Sequence, residues 1–118
     1  MQKKSVPKKT INEFELPKKV GITYSEVKRE FFPTEAQYIT EKDAEKDAEL
    51  IGTYLETLDI TVYLYPGNAY LPSHLRRDKP EMVINIVDSV KGDESLSSAI
   101  PGVLELLDVP YTGADILG

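Results

Sequence analysis

Apolar positions along the chain fall into a few distinct rhythms, and each predicts an element. Residues 82–87 form a continuous apolar run interrupted only by Asn85, as expected of a strand covered on both faces in the middle of a parallel sheet. Residues 18–24 give a shorter first strand of β-branched and aromatic side chains, with Gly21 admitting a close backbone neighbour. Residues 60–65 alternate as a second strand, closed by the turn Pro66-Gly67-Asn68. Between these two strands, Ala44, Ala48, Ile51, Leu55 and Leu58 recur at spacings of four and three, which is one apolar helical stripe. Thr40 followed by Asp43 reads as a weak capping box for that helix, and the two alanines let it lie close to the sheet. Gly52 in mid-helix costs about 1 kcal/mol relative to alanine.

The remaining segments are less regular. Residues 25–39 lose periodicity around Pro33 and read as a long loop. Such a loop is either a lid or binding element, or is pinned to the core by Phe31, Phe32 and Tyr38. Residues 69–80 predict a short helix with Leu71 and Leu75 inward and Ser73 as its cap; His74, the single histidine, reads as a surface or packing residue. Arg76 and Arg77 are adjacent, so on a helix they point different ways. Asn85 would be buried and needs hydrogen-bond partners. Ser97 or Ser98 caps a turn leading to Pro101 in the first turn of a helix, with Val103, Leu104, Leu106 and Leu107 as its buried face. Pro110 makes any fourth strand at residues 109–111 short and edge-like.

Strand, helix and strand at this spacing are βαβ units with right-handed crossovers. The expected fold is α/β: a three-layer, Rossmann-like open sheet, mostly parallel, of about four strands. No GxGxxG follows the first strand, so dinucleotide binding is excluded. The polar loop 88–94 stands where the third strand delivers its carboxyl end, the edge at which open α/β sheets bind ligands.

Composition narrows the picture further. A chain of 118 residues is one domain by size, divided here into a basic, flexible tail at 1–17 and a domain at 18–118. With 41% hydrophobic and 29% charged residues and no apolar run near ~20 residues, it reads as globular and without a membrane span. There is no secretory signal, and the absence of cysteine excludes disulfides and thiolate metal sites, so a cytoplasmic location is expected. The net charge of −6 conceals six lysines within residues 1–19 and a body at −10. So acidic a body is a poor nucleic-acid binder. The tail lacks arginine and has Phe14 as its one aromatic, which fits a solvated terminus better than a nucleic-acid arm. The acids of 41–49 alternate with Lys42 and Lys46, a solvated face and not a metal site.

Two segments are more specific. Val83-Ile84-Asn85-Ile86-Val87-Asp88-Ser89, followed by Leu104-Glu105-Leu106-Leu107-Asp108-Val109-Pro110-Tyr111-Thr112-Gly113, resembles the N-terminal domain of the D-alanine–D-alanine ligase family of the ATP-grasp superfamily. The family's version of the second segment reads close to LELLGIPYTGSG, and the resemblance covers residue 18 to the end. It implies a pre-ATP-grasp domain, the substrate side of an enzyme that joins amino acids for the cell wall through an acyl phosphate. It further implies no cofactor, metal ligand or catalytic residue in this chain, with ATP and magnesium bound only by lobes following Gly118, so that the chain alone is inactive. The implied partners are an amino-acid-like small molecule and those lobes; apolar residues 109–117, exposed without them, admit a homodimer.

The family holds its first D-alanine with a glutamate near the start of the first helix and a histidine-glycine pair ending the third strand. The glutamate position falls on or next to Glu41. The pair falls on Asp88 and Ser89, two departures, and Gly92, Asp93 and Glu94 occupy a turn that in the family carries a glycine and acids. The expected substrate-binding set is therefore Glu41, Asp88, Ser89, Gly92 and Glu94, with Glu41 and Asp88 facing one cleft. An aspartate at 88 suits an ammonium group, which keeps amino-acid recognition while departing from D-alanine specificity. The alternative is a stand-alone binding or regulatory module with the same fold.

Overall fold

The computed structural model describes residues 15–113. Most of the basic tail (1–14) and the exit segment 114–118 lie outside the described residues. Strands β1 (Lys19–Tyr24), β2 (Thr61–Pro66), β3 (Met82–Ile86) and β4 (Tyr111–Gly113) form one all-parallel sheet in the order β2-β1-β3-β4. The two strands richest in buried residues, β1 and β3, are the inner pair, and three-residue β4 is the edge that Pro110 predicted.

Register assigns each side chain to a face. Ile22 lies between Leu64 and Ile84, so Ile22, Tyr24, Val62, Leu64, Ile84 and Ile86 point one way. Helix α2 (Ala44–Glu56) covers them with Ala48 at the contact. On the opposite face Tyr65 and Val83 meet Leu71 and Leu75 of α3 (Leu71–Asp78) and Ile100 and Leu104 of α4 (Ala99–Leu106). One helix on one face and two on the other is the distribution that right-handed crossovers impose on this strand order. Each fully buried apolar side chain contributes about 1.5–3 kcal/mol.

Two glycines set the closeness of the layers. A Cβ on Gly52 would lie 3.1 Å from Val62 Cγ1, so this glycine extends the small-residue stripe of α2 and its propensity cost is offset by close approach. On the other face a Cβ on Gly21 would lie 2.6 Å from Tyr65 Cε2, because the Tyr65 ring lies over β1. That ring reaches the end of α3, where its hydroxyl donates to Asp78 Oδ2 at 2.9 Å. Asn85 solves its burial locally, its Oδ1 accepting from the Val87 N–H at 3.0 Å.

Several expectations are corrected. Residues 25–39 are not an irregular loop: they hold a 3-10 turn (Arg29–Phe31) and most of helix α1 (Glu35–Glu41). Thr40 is inside α1, its hydroxyl donating to the Ala36 carbonyl, and is no N-cap. The cap of α1 is Thr34, whose side chain accepts from the Gln37 N–H at 3.2 Å, while α2 begins at Asp43 without a side-chain cap. Ser73 lies inside α3, which starts from Tyr70 with Pro72 in its first turn. Leu58 falls past the end of α2 and is exposed, and Leu106 projects from α4 into solvent at 83% exposure, on the helix side opposite Leu104. Among the described residues no helix is long and apolar enough to cross a membrane.

Candidate functional site

β1 and β3 are neighbours whose outgoing connections diverge, one towards β2 and the other towards β4. Such a switch point leaves a crevice at the carboxyl ends of the two strands. Ser25, immediately after β1, is 1% exposed and its Oγ accepts from the N–H groups of Asp88 at 2.8 Å and Ser89 at 3.3 Å. The two exits are thereby tied together. Ser89, fully buried, donates its hydroxyl to Glu41 Oε1 at 2.7 Å, fixing the carboxylate at the end of α1.

Above this cluster opens a cleft of about 700 Å³. One wall is Phe31, Phe32 and Pro33 with Gln37, Thr40 and Glu41 of α1; the other is the turn 91–95. The first wall is held by aromatic contacts: Phe32 meets Tyr38 edge-on at 6.2 Å, and the Arg29 guanidinium, paired with Glu35, lies 4.3 Å from the Tyr38 ring centroid. Phe31, Phe32 and Pro33 of segment 25–39 line the cleft, and the Phe32–Tyr38 contact lies within the segment, outside the two core clusters. In the second wall, Val90 and Asp93 exchange backbone hydrogen bonds at 3.1 and 3.0 Å around Lys91 and Gly92. Both central residues have positive φ, 55° and 77°, as a type I′ turn requires. Gly92 packs against the Phe31 carbonyl so closely that no Cβ would fit, and this contact brings the two walls together.

The charges of the second wall differ in freedom. Asp93 caps the following 3-10 turn (Glu94–Ser98), accepting from Ser95 N at 2.9 Å and Ser95 Oγ at 2.7 Å. Those bonds hold its carboxyl below the usual range. Glu94 and Lys91 are exposed and make no hydrogen bond or ion pair among the described residues. The cleft therefore offers two carboxylates not engaged in backbone capping, Glu41 and Glu94, and one unpaired ammonium group.

Of the five expected site residues, Glu41, Gly92 and Glu94 line the cleft and Ser89 supports Glu41 from beneath. Asp88 is exposed at the end of β3 and does not line it; the backbone N–H of Asp88 goes to Ser25. Sequence reasoning gave no role to Ser25, although a serine directly after five buried strand residues is a signal for a hydroxyl working at the strand exit. His74 is remote from this chemistry, stacked between Tyr65 and Tyr70 at centroid distances of 5.7 and 6.5 Å. Its Nδ1 and the Thr23 hydroxyl are buried without a hydrogen-bond partner among the described residues.

Among the described residues no group of three or more His, Asp or Glu side chains is placed to hold a metal ion, and the single positive-φ glycine turn, at Gly92, is filled by the Phe31 carbonyl. The groups the site presents are a carboxylate hydrogen-bonded to a buried hydroxyl, beside an aromatic wall. No protein-family profile, curated protein or solved structure matches the chain.

Proposed function

We propose that this chain is the substrate-side domain of an ATP-dependent carboxylate–amine ligase resembling the D-alanine–D-alanine ligases, and that it holds an amino acid in the cleft between the β1 and β3 exits. The observation that carries the proposal is the Ser89 to Glu41 hydrogen bond at the switch point of the sheet. A carboxylate oriented by a neutral donor is aimed for a ligand ammonium group, the first requirement for positioning an amine or an activated amino acid. ATP and magnesium belong, on this reading, to lobes that follow in the enzyme, and the 118-residue chain alone neither hydrolyses ATP nor forms a dipeptide.

A second reading, a binding or regulatory module, is favoured by one observation: Asp88 stands outside the cleft where the resemblance expects a ligand-contacting side chain. Titration of the isotope-labelled chain with D-alanine and L-alanine tests the shared part of both readings. Amide shifts confined to residues 31–41 and 88–95, and lost in Glu41→Gln, are expected; shifts scattered elsewhere, or none, would reject an amino-acid site. The readings separate in the full-length gene product: amino-acid-dependent ADP release marks a ligase, and amino-acid binding without turnover marks a module.

A further inference from the structure

The cleft is larger than alanine recognition needs, and one stretch of its wall, Phe31-Phe32-Pro33, is apolar. Pockets of ~300–1,000 Å³ suit drug-sized ligands, and this one measures about 700 Å³. Alanine at Glu41 would leave most of that space to water and the Phe31-Phe32-Pro33 wall uncovered. The wall packs on Tyr38 through Phe32 and meets Gly92 through the Phe31 carbonyl. Lys91 adds a second constraint. It sits at φ 55°, a conformation unfavourable for a residue with a Cβ, at the rim of the cleft and with no ion-pair partner among the described residues.

Resting on the reading of the cleft as an amino-acid site, we propose that its ligand is a free amino acid with a bulky apolar or aromatic side chain. The ammonium group sits at Glu41, the carboxylate at Lys91 across the cleft, and the side chain on Phe31, Phe32 and Pro33. Glu41 on one wall and Lys91 on the other match the two ends of a zwitterion, whereas a peptide amino terminus would leave Lys91 unused and a simple amine would leave it repelled. The aromatic wall matches a ring or branched chain by area and by edge or stacking contact.

Calorimetric titration of the 118-residue chain tests this with five probes: L- and D-phenylalanine, alanine, phenylalaninamide and 3-phenylpropionate. The better phenylalanine enantiomer binds at least about tenfold tighter than alanine, and loss of either the carboxylate or the ammonium group weakens binding roughly tenfold. Lys91→Gln lowers phenylalanine to the level of its amide and leaves the amide unchanged, while Lys91→Arg restores the difference; the exposure of Lys91 keeps the fold intact in both variants. Alanine binding as tightly as phenylalanine overturns this inference and leaves the amino-acid site standing. The amide binding as tightly as the free acid, unaffected by Lys91→Gln, overturns the zwitterion in favour of a peptide terminus. Absence of binding by every amino acid overturns both the inference and the site reading.

Discussion

The Ser89 hydroxyl donates to Glu41 Oε1 at 2.7 Å, joining residues 48 positions apart. The loop after β3 thereby sets the direction of a carboxylate at the end of α1. The two partners are separable by mutation. Ser89→Ala removes the donor and costs about 0.5–1.5 kcal/mol in urea unfolding, with looser amino-acid binding. Glu41→Gln keeps an acceptor, leaves unfolding within about 0.5 kcal/mol of the parent, and weakens ammonium ligands roughly tenfold. Equal effects of the two variants on stability and binding would count against an oriented carboxylate.

Ser25 is the support beneath that pair. Its buried Oγ satisfies two backbone N–H groups, and Ser25→Ala removes the acceptor of both. The expected loss is about 1–3 kcal/mol. Hydrogen exchange at Asp88 and Ser89 then accelerates more than exchange in β2, and uniform acceleration across the sheet would disprove a local tie.

Gly21 and Gly102 respond in opposite directions to the same substitution. Gly21→Ala drives a Cβ into the buried Tyr65 ring and costs about 1–3 kcal/mol. Gly102→Ala, in α4 with nothing within 4 Å of the new atom, gains about 0.5–1 kcal/mol from helix propensity. Thermal unfolding of the two variants beside the parent reads the sign directly.

The Tyr65 to Asp78 bond makes stability pH-dependent at both ends. Burial, and then donation to Asp78, raise the Tyr65 hydroxyl above its ordinary value of 10.0, so its contribution is complete below pH 10 and declines as pH rises beyond it. Donation from Arg77, and then from Tyr65, lowers Asp78 below its ordinary 3.8, so that contribution is present above pH 3.8 and declines as pH falls further. Tyr65→Phe costs about 1 kcal/mol at neutral pH and flattens part of the alkaline loss. A remainder persists from Tyr24, raised by burial and by the nearby charges of Glu45, Glu26 and Glu49. An alkaline slope unchanged in Tyr65→Phe argues against the assignment.

The sequence by itself determined the layered α/β architecture, because hydrophobic period is a local quantity. A continuous run at 82–87 demands cover on both faces wherever it sits, and β3 is an inner strand. The stripe through Ala44, Ala48, Ile51 and Leu55 likewise demanded one helix against a sheet. Helix boundaries were legible only in part. Thr34 and Gln37 stand at capping-box spacing, but Pro33 drew the reading towards a loop, and the threonine nearer the apolar stripe took the role of cap.

The candidate site was less legible, for a physical reason. Glu41 could be named from resemblance, but the atom that orients it could not, since a hydrogen bond between residues 41 and 89 depends on how two strand exits meet in space. The same holds for Ser25, whose hydroxyl has work to do only because β1 and β3 are neighbours. Asp88 and Ser89 are adjacent in the chain, and no local rule decides which of them turns inward. The sheet register and the seat of Gly92 on Phe31 decide it, placing the serine beneath the carboxylate and the aspartate in solvent.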